Sequence, residues 1–285
     1  MSKGVLLVNL GSPDSTDPKD VKKYLDEFLM DPRVIDVPLW ARTLLVRGII
    51  LNTRPKKSAA AYQKIWWEEG SPLIVLSERL QKKVSDRTDI PIGLAMRYGS
   101  MSIKKGLQEL YDQGIKEVMI FPLYPQFAMA GVPERHIRKS DVTQSHCKID
   151  CSCCNTPSSA HEFCYRHQCY TTTKMVAEQL SLPEGTYSTS FQSRLGFDPW
   201  LQPYTDRTIE RLGKEGIKKM AIVTPAFVSD CLETLEEIAM EGEEIFHEVG
   251  GKEFTTIPCL NDRDDWADLI ANWINKWALV KTQTV

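Results

Sequence analysis

The chain has 285 residues, 42% of them hydrophobic, with a formal net charge of −3 and a pI near 6.0. That is enough apolar material for one large domain or two similar halves, and the mild acidity excludes the electrostatic footprint of a nucleic-acid-binding protein. No stretch approaches the roughly 18 consecutive apolar residues of a membrane-spanning helix.

In chain order, short apolar runs alternate with amphipathic stretches, the pattern of a parallel α/β fold. Gly4–Leu10 reads as a buried strand rather than a signal peptide, so the chain is expected in the cytoplasm, where disulfides are uncommon. Lys19–Leu29 reads as a helix started by Asp17-Pro18, Ile92–Arg97 as a strand, Ser102–Gln113 as a helix and Val118–Tyr124 as a strand. After a long irregular section come helix Tyr165–Leu180, strand Ser188–Gln192, helix Tyr204–Glu215, strand Met220–Pro225, helix Cys231–Val249, strand Phe254–Pro258 and helix Asp264–Trp277. The turns "QGIKE" and "EGIKK" sit in corresponding places of the two halves, a weak internal echo. Each half therefore has three strands, with a boundary near residues 130/131, and nothing between Tyr124 and Cys147 supplies the crossover that parallel strands need.

Three stretches carry candidate chemistry. Pro38–Leu51 is apolar nearly all round, interrupted by Arg42 and Arg47 and followed by Arg54, Lys56 and Lys57. It is either a buried helix or an exposed lip within region 34–72 that touches a membrane surface or admits a flat apolar ligand with carboxylate arms. In "VSDCLETLEEIAMEGEEIFHEVG", Glu233, Glu237, Glu241 and Glu244 or Glu248 recur at helical spacing, and Asp230 stands at the helix start. The stripe is either a solvated acidic face or a rail of hard oxygen ligands for a divalent cation. Because it follows the apolar run Ala221–Phe227, Asp230 and Glu233 fall at the C-terminal end of a strand, where open α/β sheets place their ligands. The third stretch, "HCKIDCSCCNTPSSAHEFCYRHQC", holds six of the eight cysteines and three histidines within residues 146–169. All-cysteine ligation suits an iron–sulfur cluster on Cys147, Cys154, Cys164 and Cys169, with Cys153 a close substitute for Cys154. His146, His161 and His167 keep a zinc site open, and redox thiols are the third option.

In combination, "VLLVNLGSP" at 5–13, "YQKIW…GSPL" at 62–73, "MRYG" at 96–99, "FPLYPQF" at 121–127, "GFDPWLQPYTD" at 196–206 and "TPAFVSDCLETLEEI" at 224–238 resemble the ferrochelatases, which insert Fe(II) into a porphyrin. The resemblance runs over almost the whole chain. It implies an α/β fold of two Rossmann-like halves with parallel sheets and a porphyrin cleft between them, residues 1–130 and 131–285. It implies Glu233 as the active-site glutamate and Glu237 and Glu241 as the acidic path from it; Asp230 is expected beside them as a further metal ligand from its own place at the strand end. Arg97 and Tyr98 match the pocket pair, Trp200 the tryptophan lining the porphyrin, and Leu10 a variable residue facing the incoming metal. Cys231 stands where some members have histidine. The cysteine-rich segment resembles the internal [2Fe–2S] segment of certain bacterial members. One departure is large: after "YPQFAMA" the family continues for about 60 residues, two βα units at about 30 each, through a Ser-x-His-x-x-Pro motif absent here. Each half is thus expected to be one strand short. The family's activity, with porphyrin and ferrous iron as partners, is expected to be impaired, and a tetrapyrrole-binding remnant and a chelatase for another metal remain as alternatives.

Overall fold

A computed structural model describes residues 2–126, 146–148, 152–192 and 200–280. The junction Met129-Ala130-Gly131, His136 and most of "GFDPW" lie outside the described residues. The fold is mixed α/β with parallel sheets, and the chain divides into two compact units. Unit 1 takes in Met1–Tyr124, Phe227–Glu237 and Pro258–Val285; unit 2 takes in Pro125–Ala226 and Ile238–Ile257.

Unit 1 is built on β1 (Lys3–Asn9), flanked in parallel by β2 (Ile92–Met96) and β3 (Glu117–Pro122) in the order β2-β1-β3. A central strand covered on both faces must be apolar throughout rather than alternating, and β1 obeys this. Val5 and Leu7 face a cluster with Leu80 and Val84 of α4 (Pro72–Ser85) and with Ile270 and Ile274 of the last helix (Asp264–Leu279). Leu6 and Val8 face Leu110 of α5 (Ile103–Asp112) together with Ile115. The helix α1 (Pro18–Leu29) starts where the sequence says: the Asp17 carboxylate accepts from the Lys19 N–H at 2.7 Å, and Pro18 occupies the first turn, where no donor is needed. Ser102 caps α5 in the same way through the Lys105 N–H. Gly11 has φ +112°, and a Cβ there would stand 2.0 Å from the carbonyl oxygen of Tyr98. That position therefore requires glycine both for its backbone angle and for the close approach of the loop after β2.

In unit 1, α2 (Leu39–Thr43), a π-helical stretch (Leu44–Ile50) and α3 (Leu51–Ile65) follow one another without a break. Here the buried-helix reading fails. Leu39 and Trp40 are 64% and 74% exposed, and Leu44 and Ile49 also face solvent. Val46, Leu51 and Arg42 turn inward, the last because its guanidinium donates to the Ile35 carbonyl. The stretch is an exposed apolar lip.

Unit 2 contains α6 (Tyr165–Gln179), α7 (Thr205–Lys214), β4 (Lys219–Val223), α8 (Gly242–Glu248) and β5 (Glu253–Ile257), with β4 and β5 paired in parallel. The helix of unit 1 that follows β5, Asp264–Leu279, is α9. The echo between the halves has a physical basis: Gly114 after α5 and Gly216 after α7 both hold positive φ and end their helices before a strand. Two expectations need correction. Ser188–Gln192 is not a strand; among the described residues it forms only a bridge between Phe191 and Tyr204. Among the described residues it has no neighbouring strand to pair with, and propensity alone does not hold a strand. The predicted helix Cys231–Val249 is two pieces, a π-helical stretch Glu233–Glu241 and then α8. Widening to i→i+5 bonding turns residues four apart away from perfect alignment. Among the described residues no helix is long and apolar enough to cross a membrane.

The packing of Gly11 generates a direct expectation. Gly11→Ala should lower the urea midpoint by more than Gly114→Ala, which meets open space and carries only the backbone cost of about 1 kcal/mol. Equal losses would show that the approach of Tyr98 to Gly11 is not a real constraint.

Candidate functional site

The C-terminal ends of β1 and β2 converge. The Arg97 N–H donates to the Asn9 carbonyl at 2.8 Å, and the Tyr98 N–H to the Leu10 carbonyl at 2.9 Å. Leu10, Arg97 and Tyr98, assigned separately from sequence, are thus adjacent residues of one rim. Arg97 and Tyr98 share a single anchor that the sequence reading missed. Asp31, buried, accepts from the guanidinium of Arg97, from the Tyr98 hydroxyl at 3.1 Å and from the Arg33 N–H at 2.8 Å. The Arg97 guanidinium also lies 4.9 Å from the Tyr98 ring centroid. Burial alone would raise the Asp31 carboxyl; the donors around it and the two guanidinium groups outweigh this and hold it below the usual carboxylate range. Burial, and then the Asp31 carboxylate, push the Tyr98 phenol up to about 12.

Glu233 sits at the start of the π-helical stretch, half-buried, and accepts a hydrogen bond from the Cys231 thiol at 3.0 Å. Three phenols complete its surroundings: Tyr24, Tyr62 and Tyr124 all feel its charge. For each, burial is the first cause of a raised pKa and negative neighbours add to it. Burial and then Glu233 likewise raise the Cys231 thiol. Near neutrality every one of these neighbours is therefore protonated, so a carboxylate stands among groups that carry no charge. The cations nearby are engaged elsewhere, Arg97 with Asp31 and Lys64 with the buried Glu236 at 2.6 Å. Tyr124 also feels Tyr98 and Arg97, which links the rim to Glu233. Tyr24, on the buried stripe of α1 with Val21 and Leu25, donates to the Gly11 carbonyl at 3.2 Å. The signal for these tyrosines was present: amphipathic rings on otherwise apolar stripes carry a polar tip that needs a partner.

The remaining predicted residues are placed as follows. Both oxygens of Asp230 accept hydrogen bonds, one from Thr234 at 2.9 Å and the other from the Asn261 side chain at 2.7 Å. Glu237 is half-buried and adds to the field on Tyr62, whereas Glu241 is exposed and belongs to unit 2. Exposure therefore rises along the acidic stripe away from Glu233. Trp200 is buried within unit 2. The residue ranges of unit 1, which hold Glu233, contain no histidine.

The cysteine-rich segment lies in unit 2. Cys147, Cys153 and Cys164 are buried with Ala160, Phe191 and Leu201, and Cys154 and Cys169 pack against them. Burial, and then Cys164 and Cys153, push the Cys147 thiol up to about 12; burial, and to a smaller degree Cys164, raise Cys169 to about 11. Cys147, Cys153, Cys164 and Cys169 thus form a connected set of thiols in an apolar pocket, and Cys153 rather than Cys154 is the direct neighbour of Cys147. Neighbouring thiols of this kind fit an iron–sulfur cluster in donor type, with thiol protons released on binding. Among the described residues no three His, Cys, Asp or Glu side chains already stand in a metal-ion arrangement. The histidines stack alongside, with the His161 and His167 rings 3.7 Å apart and His146 edge-on at 5.6 Å from His161.

A parallel α/β unit whose strand ends gather a half-buried carboxylate, phenols and an anchored arginine is built to receive a ligand at that end of the sheet. The sequence profile described as ferrochelatase matches residues 2–134 and 127–278. The ferrochelatase of Opitutus terrae is 41% identical over 337 aligned positions, covering 97% of this chain and 98% of that protein. The ferrochelatase of Pseudomonas fluorescens strain SBW25 is 43% identical over 323 positions, covering 92% and 94%, and that of Azotobacter vinelandii is 41% identical over 327, covering 94% and 96%. The chain belongs to the ferrochelatase family. Its match to the profile is broken at 127–134, and alignments of this length against 285 residues contain a gap, as the sequence departure predicts.

The Asp31 anchor sets a pH expectation. Its folded-state pKa is depressed, so its contribution is fully present above the unfolded value of about 3.9 and is lost as pH falls through the folded value. Asp31→Asn should be less stable than the parent at pH 7, and the difference should close in acid, measured by urea midpoints across that range. A difference independent of pH would show that charge at Asp31 is not what holds Arg97 and Tyr98.

Proposed function

We propose that this chain is a ferrochelatase-type lyase acting in haem biosynthesis, one that binds protoporphyrin IX or coproporphyrin together with Fe(II) as substrates and inserts the metal at a greatly reduced rate. The observation that carries the reading is Glu233: a carboxylate walled by protonated phenols and a thiol, with nearby cations already paired. Such a group attracts a divalent cation, because among the described residues no cation pairs with it and a bound ion would relieve its charge. Glu237 and Glu241, increasingly exposed along the stripe, form the route by which the hydrated ion arrives, and Asp230 fixes the start of that route through Thr234 and Asn261. Leu10, Arg97 and Tyr98 form the rim that meets the porphyrin, and the family resemblance makes Trp200 a further porphyrin-binding residue. The exposed lip at 38–51 serves as a peripheral contact with the inner face of the membrane for a protein otherwise in the cytoplasm.

Insertion must remove two pyrrole protons. Glu233 is the one strong base of the motif set left in this chain, and the unit around it contains no histidine. Loss of an acid–base group costs about 10²–10⁴ in rate. A second reading, a tetrapyrrole-binding remnant without chelation, is favoured by the same break in the family match. Anaerobic haem formation separates the two: slow metallation supports the first, and porphyrin binding without metallation supports the second. Glu233→Gln should abolish whatever metallation the parent shows, while Glu244→Gln, exposed on α8, should change it little; equal effects would reduce the stripe to a solvated face. Turnover equal to that of a full-length relative would overturn the impairment.

We further propose that Cys147, Cys153, Cys164 and Cys169 hold a [2Fe–2S] cluster. Protein purified without oxygen should be brown and contain iron and sulfide. Stoichiometric zinc with neither would replace the cluster by a structural zinc site.

A further inference from the structure

Among the described residues β3 is the outer strand of its sheet, and nothing pairs with its far side. Glu117 donates to the Ser2 carbonyl and Leu123 to the Val8 carbonyl, so the odd-numbered residues of β3 bond to β1. By the alternation of a parallel ladder, Val118, Ile120 and Pro122 turn their backbone groups to the open edge. Pro122 has no N–H to offer, as is usual for proline at an edge. The side chains around this edge are apolar and exposed on both faces of the sheet. On one face Ile120 is 47% exposed, and a groove of about 580 Å³ runs between Val118 and the α5 residues Lys104, Leu107, Gln108 and Tyr111, the last 71% exposed. On the other face Phe121 stacks on Trp273, which is itself exposed with Leu269.

We propose that this edge is the surface through which two copies of the chain pair, β3 antiparallel to β3 about a two-fold axis at Met119. Val118 then exchanges both backbone hydrogen bonds with the second copy's Ile120, and Ile120 with the second copy's Val118. The ladder stops at Pro122. The occupant is a second copy because the surface complements itself. The exposed stripe of α5 runs from Lys104 through Leu107 and Gln108 to Tyr111 and Asp112. Turned antiparallel on itself, it sets Lys104 against the second copy's Tyr111 and Asp112, an opposite charge and an aromatic face. A two-fold pairing also closes, consuming both edges, whereas pairing with an unlike edge would leave an open chain.

Sedimentation of the purified chain over a range of concentrations tests this, with folding of each variant checked by circular dichroism. The parent should show a monomer–dimer equilibrium. Ile120→Lys on the strand and Tyr111→Lys on the exposed helix face should each shift it to monomer. Val223→Lys, on the exposed end of β4, should leave the dimer intact. Hydrogen exchange at the amides of Val118 and Ile120 should slow as the protein concentrates. A monomer at all concentrations overturns the proposal, including one whose Val118 and Ile120 amides are protected and whose edge is therefore covered by its own chain. So do open-ended aggregates, or a dimer indifferent to both lysine substitutions.

Discussion

The side-chain amide of Asn9 holds together the parts of unit 1 that matter for chemistry. It lies buried at the C-terminal end of β1, donates to Ser77 on α4 at 3.0 Å and to Ser229 at 3.3 Å, and accepts from the Leu10 N–H at 2.8 Å. Its backbone carbonyl takes the Arg97 N–H. One residue therefore joins the strand that carries Leu10, the strand that ends in Arg97 and Tyr98, and the segment that leads into Asp230 and Glu233. A buried amide deprived of partners costs about 1–3 kcal/mol, so these contacts form together or not at all. Everything else in the site follows from that register: Gly11 can approach Tyr98, Tyr24 can reach Gly11, and Glu233 falls among the phenols.

The consequence is electrostatic. A half-buried carboxylate is usually stabilised by a cation of the protein. Here the available cations are spent on other acids, Arg97 on Asp31 and Lys64 on Glu236. The phenols and the Cys231 thiol supply polarity without charge. Their raised pKa values are the record of this arrangement, since burial and Glu233 both oppose their ionisation. Among the described residues the nearby cations are thus paired with acids other than Glu233.

Much of this was legible in the sequence, for reasons particular to each element. β1 could be read because a strand covered on both faces has no alternation to obscure it. α1 and α5 could be read from Asp17-Pro18 and Ser102, whose side chains cap the first turn. Glu233 could be singled out by its place at a strand end but not told from a solvated charge by periodicity, and Arg97 was legible only through a family motif. The phenols and Asp31 were not found. They come from four separate stretches, and only the folded chain brings them to one point. Ser188–Gln192 misled for the opposite reason: its residues favour a strand, but a strand is a property of a pair. The lip was left open between a buried helix and an exposed surface, because composition alone cannot say which apolar helix finds a neighbour to cover it.

The break in the family match acts unequally on the two units. Unit 1 depends little on the residues near the gap. Its central strand is covered by α4, α5 and α9, and its site is completed by Phe227–Glu237 and Pro258–Val285, which return from the far end of the chain. Among the described residues the open positions lie elsewhere: β3 has an unpaired side, and Ser188–Gln192 forms only the bridge from Phe191 to Tyr204. The placement of Glu233 and of the Arg97 rim both rest on the Asn9 register, which is built from contacts within unit 1. The contacts that place Glu233, Arg97 and Tyr98 thus lie in unit 1, apart from the position at which the family match is broken.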